Sequence, residues 1–354
     1  MLTATPAANL DALAGLRAQF TDASGYLAAC TAGLPTRATR DAVIADVTGR
    51  PDVADYSRAV EASRAHFAAL VGVATDRVAI GSQTSVQVSI LAGARPDGAE
   101  VLVPEHEFSS LVLPFVHAGR GIRVRSAPLA DLADAVRPET ALVAFSLVQS
   151  ASGEVADLDA ICAAAARVGA RTVCDGTQAV GWMPVDAARV DALLCHAYKW
   201  LCCPRGVAFL TLSSDYARAL SPIQAGWYAG ADPWSSCYGG DADLAGCARR
   251  FDVSPAWQAF VGAEPALAAF AAAPIAEVQA HVTSLAARFR ARLGLDEPHR
   301  PSAIVTWPDA TGCDLARLTA AGVVASGRNG SARVAFHVFN DLADVDLAAS
   351  ALGR

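Results

Sequence analysis

The amino-acid sequence predicts an α/β protein: a large domain with a mainly parallel seven-stranded sheet, followed by a smaller α+β C-terminal domain. Between about residues 60 and 215, short apolar β-rich runs alternate with Ala-rich helical stretches. This pattern is typical of parallel strands joined by crossover helices. After about residue 240, a long Ala-rich helical region and a few short strands replace the alternation. The 354 residues, 53% of them hydrophobic, suffice for two domains.

Seven runs are predicted as the strands of the large domain, because their nearly continuous apolar character fits strands buried on both faces. They are RVAIGS (77–82), EVLVPE (100–105), RVRSAP (123–128), ALVAFSLV (141–148), RTVCDG (171–176), ALLCHAY (192–198) and VAFLTL (207–212). The helices predicted between them include residues 56–72, 85–94 and 157–169, the last beginning at an aspartate suited to an N-cap. Since such sheets bind ligands at the carboxyl ends of their strands, we expect the functional residues there.

The change of pattern also predicts the domain limits. Residues 1–40 are predicted to form an N-terminal segment that belongs with the small domain, residues 41–240 the large domain, and residues 241–354 the small C-terminal domain. Strands of the small domain are predicted at 302–309, 322–326 and 332–340, before a final helix in 341–350.

Charge and composition exclude several classes of protein. A net charge of −7 and a pI near 5.5 argue against binding to nucleic-acid phosphates. No apolar run approaches the roughly 18 residues that a membrane-spanning helix needs, and the N-terminus lacks the basic and apolar regions of a signal peptide. The nine cysteines show no paired C-x-x-C spacing, so no metal site is expected. We therefore expect a cytoplasmic protein without a nucleic-acid or membrane partner.

A candidate anion site lies in AIGSQTSVQVSILAGA, residues 79–94, where a predicted strand meets a predicted helix. The backbone N–H groups at a helix N-terminus, together with the side chains of Gln83, Thr84 and Ser85, can hold a phosphate. An ordinary strand-to-helix turn with a serine cap is the alternative for this segment taken alone.

Two charged residues stand at the ends of apolar strands. Asp175 ends the run RTVCD, where an unpaired carboxylate would be expensive and needs a cationic or protonated partner. Lys199 follows His196 and Tyr198 within an apolar run, a setting that favours the neutral, nucleophilic amine. A buried acid, a buried lysine and a phosphate cradle together predict a pyridoxal 5'-phosphate (PLP) site. Lys199 would form the Schiff base, and Asp175 would keep the pyridine nitrogen protonated.

These residues carry a family resemblance. DGTQAVGWMPVD (175–186) is similar to the DGAQ segment of cysteine desulfurases, and AYKWLCCPRGVAFL (197–210) resembles their lysine segment. Over essentially its whole length the chain resembles the class V aminotransferase family, the fold-type-I PLP-dependent enzymes that include cysteine desulfurases, kynureninases and isopenicillin N epimerase. The resemblance implies the fold-type-I architecture, PLP as cofactor and a homodimer that acts on a small amino-acid substrate.

The resemblance also implies roles for further residues. Phe108, or alternatively His106, would stack on the cofactor ring, and Gln149 would replace the asparagine that usually lies over it. Arg333, with Arg328 as second candidate, would bind the substrate carboxylate through its planar guanidinium. The remaining cofactor contacts implied are Gln178, His196, Tyr198 at the phosphate, Trp227, and Ser254, which would reach the partner subunit's phosphate.

The reaction favoured by the sequence is β-elimination, a carbon–sulfur or related lyase that begins with proton removal from Cα by Lys199. Transamination or epimerisation with the same lysine is the alternative. A non-catalytic PLP-binding protein is disfavoured because Lys199, Asp175 and Arg333 are all present. Cysteine desulfurase is disfavoured because residues 318–333, where such enzymes carry a persulfide cysteine, contain no cysteine.

Overall fold

A seven-stranded sheet forms the centre of the large part of the molecule. The computed structural model describes the backbone of residues 6–354 and the side chains from residue 12 onward. The strands are β1 (Val78–Gly81), β2 (Glu100–Pro104), β3 (Arg123–Ala127), β4 (Thr140–Ser146), β5 (Arg171–Asp175), β6 (Ala192–His196) and β7 (Ala208–Leu212). Their order is β1-β7-β6-β5-β4-β2-β3, and all neighbours are parallel except that β7 is antiparallel to both β1 and β6. Each strand lies within one of the predicted runs, except that β4 begins one residue earlier, at Thr140.

Helices connect the strands and pack against both sheets. They are α1 (Pro6–Arg17), α2 (Arg37–Thr48), α3 (Val53–Leu70), α4 (Thr84–Gly93), α5 (Ser109–His117), α6 (Leu158–Val168), α7 (Ser214–Ala219), α8 (Trp257–Ala271), α9 (Ile275–Leu293), α10 (Cys313–Ala320) and α11 (Leu342–Ala351). At α6 the predicted cap is present: the Asp157 carboxylate accepts from Ala160 N at 3.1 Å, and Gly169 ends the helix in the left-handed conformation.

The core lies on both faces of the sheet, which explains why six of its strands read as apolar runs. The prediction of burial on both faces is wrong for β3, because this strand lies at the edge of the sheet and is largely exposed. On one face, Cys174 of β5, Leu193 of β6 and Phe209 of β7 belong to the same buried cluster. The residue that follows each of them points to the other face or ends the strand. Leu194 and Leu210, for example, belong to the second cluster, which includes α4 and α5 side chains. Because successive side chains alternate between faces, polar residues can reach a ligand only where a strand ends.

The second, smaller sheet is antiparallel and has three strands, β8 (Ile304–Pro308), β9 (Ser326–Arg328) and β10 (Ser331–Ala335), in the order β8-β10-β9. The strand predicted at 322–326 lies later in the chain, where β9 begins at Ser326. Asn329 and Gly330 both have positive φ, 49° and 73°, and form a two-residue hairpin turn that sets β9 directly before it. The two-sheet arrangement confirms the predicted α/β fold with a smaller α+β part.

Several contacts cross the predicted domain limits. Bridges Tyr26–Val324 and Ala28–Ala335 join the N-terminal segment to the region of the small sheet. Helix α8 packs on α2 and α3, whereas α9 packs on β8 and α11. The limits 1–40, 41–240 and 241–354 remain a proposal.

Within the described residues, no single helix has both the length and the apolar character to cross a membrane. By length and composition alone, the pair α8 and α9, bent by 89°, meets that test together.

Candidate active site

A cavity of about 310 Å³ lies at the carboxyl edge of the large sheet, where β1, β4, β5 and β6 end. Nine of the residues predicted for the site line it: Gln83, Thr84, Ser85, Phe108, Asp175, Gln178, His196, Tyr198 and Lys199. Since these residues come from four separate segments of the chain, the fold brings together what the sequence spreads over more than a hundred residues.

Lys199 is the only lysine in the 354-residue sequence, and its surroundings make it reactive. The residue is 5% exposed, and its Nζ lies 5.2 Å from the centroid of the Phe108 ring. Burial lowers the pKa of the Lys199 amine from 10.5 to about 8, an effect that the charges of Arg333 and Arg328 reinforce and that of Asp175 opposes. An appreciable fraction of the amine is therefore neutral near neutral pH, as a nucleophile or base requires.

Asp175 ends β5 in the same cavity and is 4% exposed. Its Oδ1 accepts from Thr177 N at 2.8 Å, and the Thr177 hydroxyl in turn accepts from His196 N at 3.0 Å. Burial raises the pKa of the Asp175 carboxyl, while the Thr177 hydrogen bonds and the charge of Lys199 act in the opposite direction. A carboxylate held in this way is suited to pair with a cationic or protonated group in the cavity.

A second part of the cavity lining is suited to an anion. Helix α4 begins at Thr84, and its N-cap residue Gln83 makes no side-chain capping bond, so the first N–H groups lack that partner. His196 Nε2 is buried and has no hydrogen-bond partner among the described residues. Burial, reinforced by the charges of Arg205 and Lys199, lowers the pKa of His196 to about 4, so the ring is neutral. Arg205 lies at the same edge, with its guanidinium 4.4 Å from the centroid of the Tyr198 ring.

These features fit PLP. The uncapped helix start, the unpaired imidazole nitrogen and Arg205 match the needs of a phosphate, and the buried Asp175 and Lys199 match those of a pyridine nitrogen and an aldehyde carbon. The described residues contain no group of three or more His, Cys, Asp or Glu side chains that could hold a metal ion.

Of the two candidates for the stacking ring, the structure places Phe108 on the cavity and His106 outside it. Phe108 lines the cavity beside Lys199, whereas His106 is exposed and has a left-handed backbone with φ 57°. Of the two, only Phe108 is placed to stack on a ligand in this cavity.

Gln178 lines the cavity, but its amide is already engaged by the protein. Its Oε1 accepts from Trp200 Nε1 at 2.7 Å, and its Nε2 donates to Cys30 O at 2.9 Å and Ser150 Oγ at 3.0 Å. Gln178 thus ties the residue after Lys199 to the segment after β4.

Two predicted cofactor contacts lie elsewhere in the fold. Gln149 is outside the cavity because its Nε2 donates to Glu105 O at 2.9 Å; Ser150, one residue later, lines the cavity instead. Trp227 is also outside, in an aromatic group where its ring lies 5.0 Å from Trp234.

The two arginine candidates for the substrate carboxylate differ in burial and in hydrogen bonding. Arg333 is 1% exposed and donates to Ser150 O, to Ser150 Oγ at 3.1 Å and to the hydroxyls of Ser326 at 3.1 Å and Thr31 at 3.0 Å. No carboxylate forms an ion pair with it in the described part of the chain. Arg328 is exposed and donates to the carbonyl of Gly327 at 2.6 Å.

Ser254 is exposed on the segment before α8 and does not line the cavity of its own chain. Its predicted contact belongs to a partner subunit, so that role stays a prediction.

Sequence reasoning missed Glu107, Ser146, Ser150, Thr177 and Arg205. Ser146 could have been found from its position, because it ends β4 and pairs in register with Asp175. Glu107 is partly buried, and burial together with the charge of Asp175 raises the pKa of its carboxyl. Its partner Ser146 lies 39 residues away, so no local pattern indicates it.

Comparison with known proteins gives matches in sequence and in fold. Residues 51–299 match the family model described as aminotransferase class-V. Isopenicillin N epimerase of Amycolatopsis lactamdurans is 30% identical over 188 residues, which are 47% of this chain and 46% of that protein. A probable cysteine desulfurase of Aeropyrum pernix is 32% identical over 185 residues, 48% of this chain and 45% of that protein.

Among solved structures, the cysteine desulfurase CsdA (S-sulfonic acid) from Escherichia coli superposes with a TM-score of 0.83 at 20% identity, over 97% of this chain and 98% of that one. This likeness concerns the fold. The chain spans about half the length of the sequence relatives it matches, 46% in the case of the epimerase.

Proposed function

The chain belongs to the aminotransferase class-V family, whose members are PLP-dependent enzymes, and from this premise we propose that it acts at Cα and Cβ of a small amino acid by β-elimination. The observation that carries the proposal is the pairing of the only lysine with a buried aspartate in one cavity. Bound PLP supplies an electron sink for the bonds at Cα.

The protein's own residues would divide the remaining work. Lys199 would hold the cofactor covalently and then, as a free amine with its lowered pKa, take the proton from Cα and pass it to the substituent that leaves Cβ. Asp175 would hold the proton of the pyridine nitrogen, and Phe108 would cover the ring. The start of α4, His196 and Arg205 would bind the phosphate.

Arg333 supports an anionic substrate group. A buried guanidinium without a carboxylate partner is expensive, and it is retained where an anion completes the pair. Ser150 links Arg333 to the cavity, since Ser150 both lines the cavity and accepts from Arg333. We propose that the substrate's α-carboxylate is the missing anion and that it displaces the Ser150 contacts.

The alternative with specific support is epimerisation, because isopenicillin N epimerase is among the sequence relatives. Transamination would use the same lysine and the same cofactor contacts. The site itself does not favour a desulfurase, because residues 318–333 supply no cysteine thiol.

The test is product analysis of the purified, PLP-loaded protein with a panel of small amino acids. Pyruvate with ammonia indicates β-elimination; a keto acid that requires an added acceptor indicates transamination; a change in optical rotation without either indicates epimerisation. Because the chain has one lysine, borohydride followed by peptide mass spectrometry should place the cofactor on the Lys199 peptide alone. Full turnover by Lys199→Ala would refute the proposal.

The proposal includes a two-fold homodimer. Its support is the exposed Ser254 segment, which resembles the family segment that completes the partner's site. Sedimentation of the PLP-loaded protein should show a dimer, and an active monomer would exclude this part of the proposal.

A further inference from the structure

The loop between β2 and α5 carries Phe108 to the cavity, and its conformation is held by side chains from the end of β4. We propose that Glu107 is a positioning residue that fixes Phe108 against the Lys199 side of the cavity. This inference rests on the proposed function, in which Phe108 covers the cofactor.

The loop needs external support. His106 adopts a left-handed backbone conformation with φ 57°, which is unfavourable for a residue other than glycine. The loop is attached at its start, where Glu105 N donates to Ala127 O at 2.8 Å and Gln149 Nε2 donates to Glu105 O at 2.9 Å. The Gln149 contact gives that residue a role as an anchor of the loop.

Glu107 attaches the other end of the loop. Its Oε2 accepts from Ser146 N at 2.8 Å, and its Oε1 accepts from Ser146 Oγ at 2.6 Å and from Phe108 N at 2.6 Å. One carboxylate therefore joins the backbone of Phe108 to the end of β4. Ser146 is the register partner of Asp175, so the same contact sets the distance between the loop and the strand that carries the acid.

Phe108 depends on this attachment because little else holds it. Its side chain is 43% exposed and belongs to neither buried core cluster. It precedes α5 as the N-cap residue, and its side chain makes no capping bond. The ring is consequently placed by its backbone, and the backbone is placed by Glu107.

The variant Glu107→Gln keeps the shape of the side chain and removes one acceptor. Whichever way the amide is turned, its NH₂ group faces either Ser146 N or Phe108 N, and that backbone donor loses its partner. Glu105→Gln is the matched control, since Glu105 is exposed and its side chain makes no hydrogen bond with the described residues.

The measurement is the Kd for PLP, obtained by equilibrium dialysis of the holoenzyme, in a double-mutant cycle with Phe108→Leu. We expect Glu107→Gln to raise the Kd about tenfold in the wild-type background and less than twofold in the Phe108→Leu background, because without the ring there is nothing to position. Glu105→Gln should leave the Kd unchanged, and the near-ultraviolet circular dichroism of bound PLP should change with Glu107→Gln but not with Glu105→Gln.

Equal effects of Glu107→Gln in both backgrounds would overturn the inference, because Glu107 would then act through Ser146 or the general fold. An unchanged Kd would overturn it as well. If Glu107→Gln lowers the Tm so far that the holoenzyme cannot be dialysed, Gln149→Ala releases the same loop at Glu105 and must show the same dependence on Phe108. Wild-type protein that binds no PLP would instead refute the proposed function itself.

Discussion

Replacing Lys199 with methionine should stabilise the cofactor-free chain at neutral pH. In the folded protein the Lys199 amine is buried, and this burial lowers its pKa from 10.5 to about 8. In the unfolded chain the amine returns to its ordinary pKa. Below pH 8 the folded protein must therefore carry a buried ammonium, which methionine, an unbranched apolar side chain, removes.

The magnitude follows from the two pKa values. One pH unit corresponds to about 1.4 kcal/mol, so a pKa that falls from 10.5 to about 8 destabilises the folded state by about 3 kcal/mol at pH 7. The sign follows from proton binding: between pH 8 and 10.5 the unfolded state binds more protons than the folded state, so the wild-type free energy of unfolding rises with pH. The advantage of Lys199→Met should be largest below pH 8 and should vanish near pH 10.5.

The assay is urea unfolding of both proteins, freed of PLP, at constant ionic strength from pH 6 to 10.5. The control is Arg205→Met, which removes an exposed cation from the same cavity and should differ from wild type by an amount that does not vary with pH in this range. A difference between Lys199→Met and wild type that stays constant from pH 6 to 10.5 would show that the lysine is not desolvated as the structure indicates.

Two further predictions concern the acid and the arginine. Asp175→Asn should keep the fold, since the amide oxygen can still accept from Thr177 N, but kcat should fall about 10²–10³-fold, as for the loss of one preorganised electrostatic contact; circular dichroism and kcat measure the two effects, and an unchanged kcat contradicts the role. Arg333→Lys should raise KM, because an ammonium loses the bidentate fork, and should leave the absorption of bound PLP unchanged. In Arg333→Ala the preference for amino acids over their amides should weaken by about 1.5–3 kcal/mol; if that preference survives, Arg328 is the next residue to test.

Most of the sheet and half of the site follow from local sequence. Six of the strands are recognisable because both of their faces are buried, and this burial places charged and ionisable residues such as Asp175 and His196 at strand ends. Lys199 is conspicuous for the same reason. Strands and strand-end residues can be predicted because they are recognised from their neighbours along the chain.

The parts that sequence did not predict depend on register or on distant partners. Gln149 and Ser150 are adjacent, and one step along the chain decides which of them faces the cavity. The role of Glu107 depends on its hydrogen bonds with Ser146, which ends β4 and is distant in the sequence. The resemblance suggested Trp227, but that tryptophan packs with Trp234 away from the cavity.

The bond between Arg333 and Thr31 has a consequence for how the protein is made. These residues are 302 positions apart, and the carbonyl of Tyr198, next to the lysine, accepts from Gly33 N at 2.9 Å. A chain still emerging from the ribosome can form the strands that carry Asp175 and Lys199, because those contacts are closer in sequence. The corner around Arg333 forms only when both Thr31 and Arg333 have been synthesised, so its completion is a late event in biogenesis.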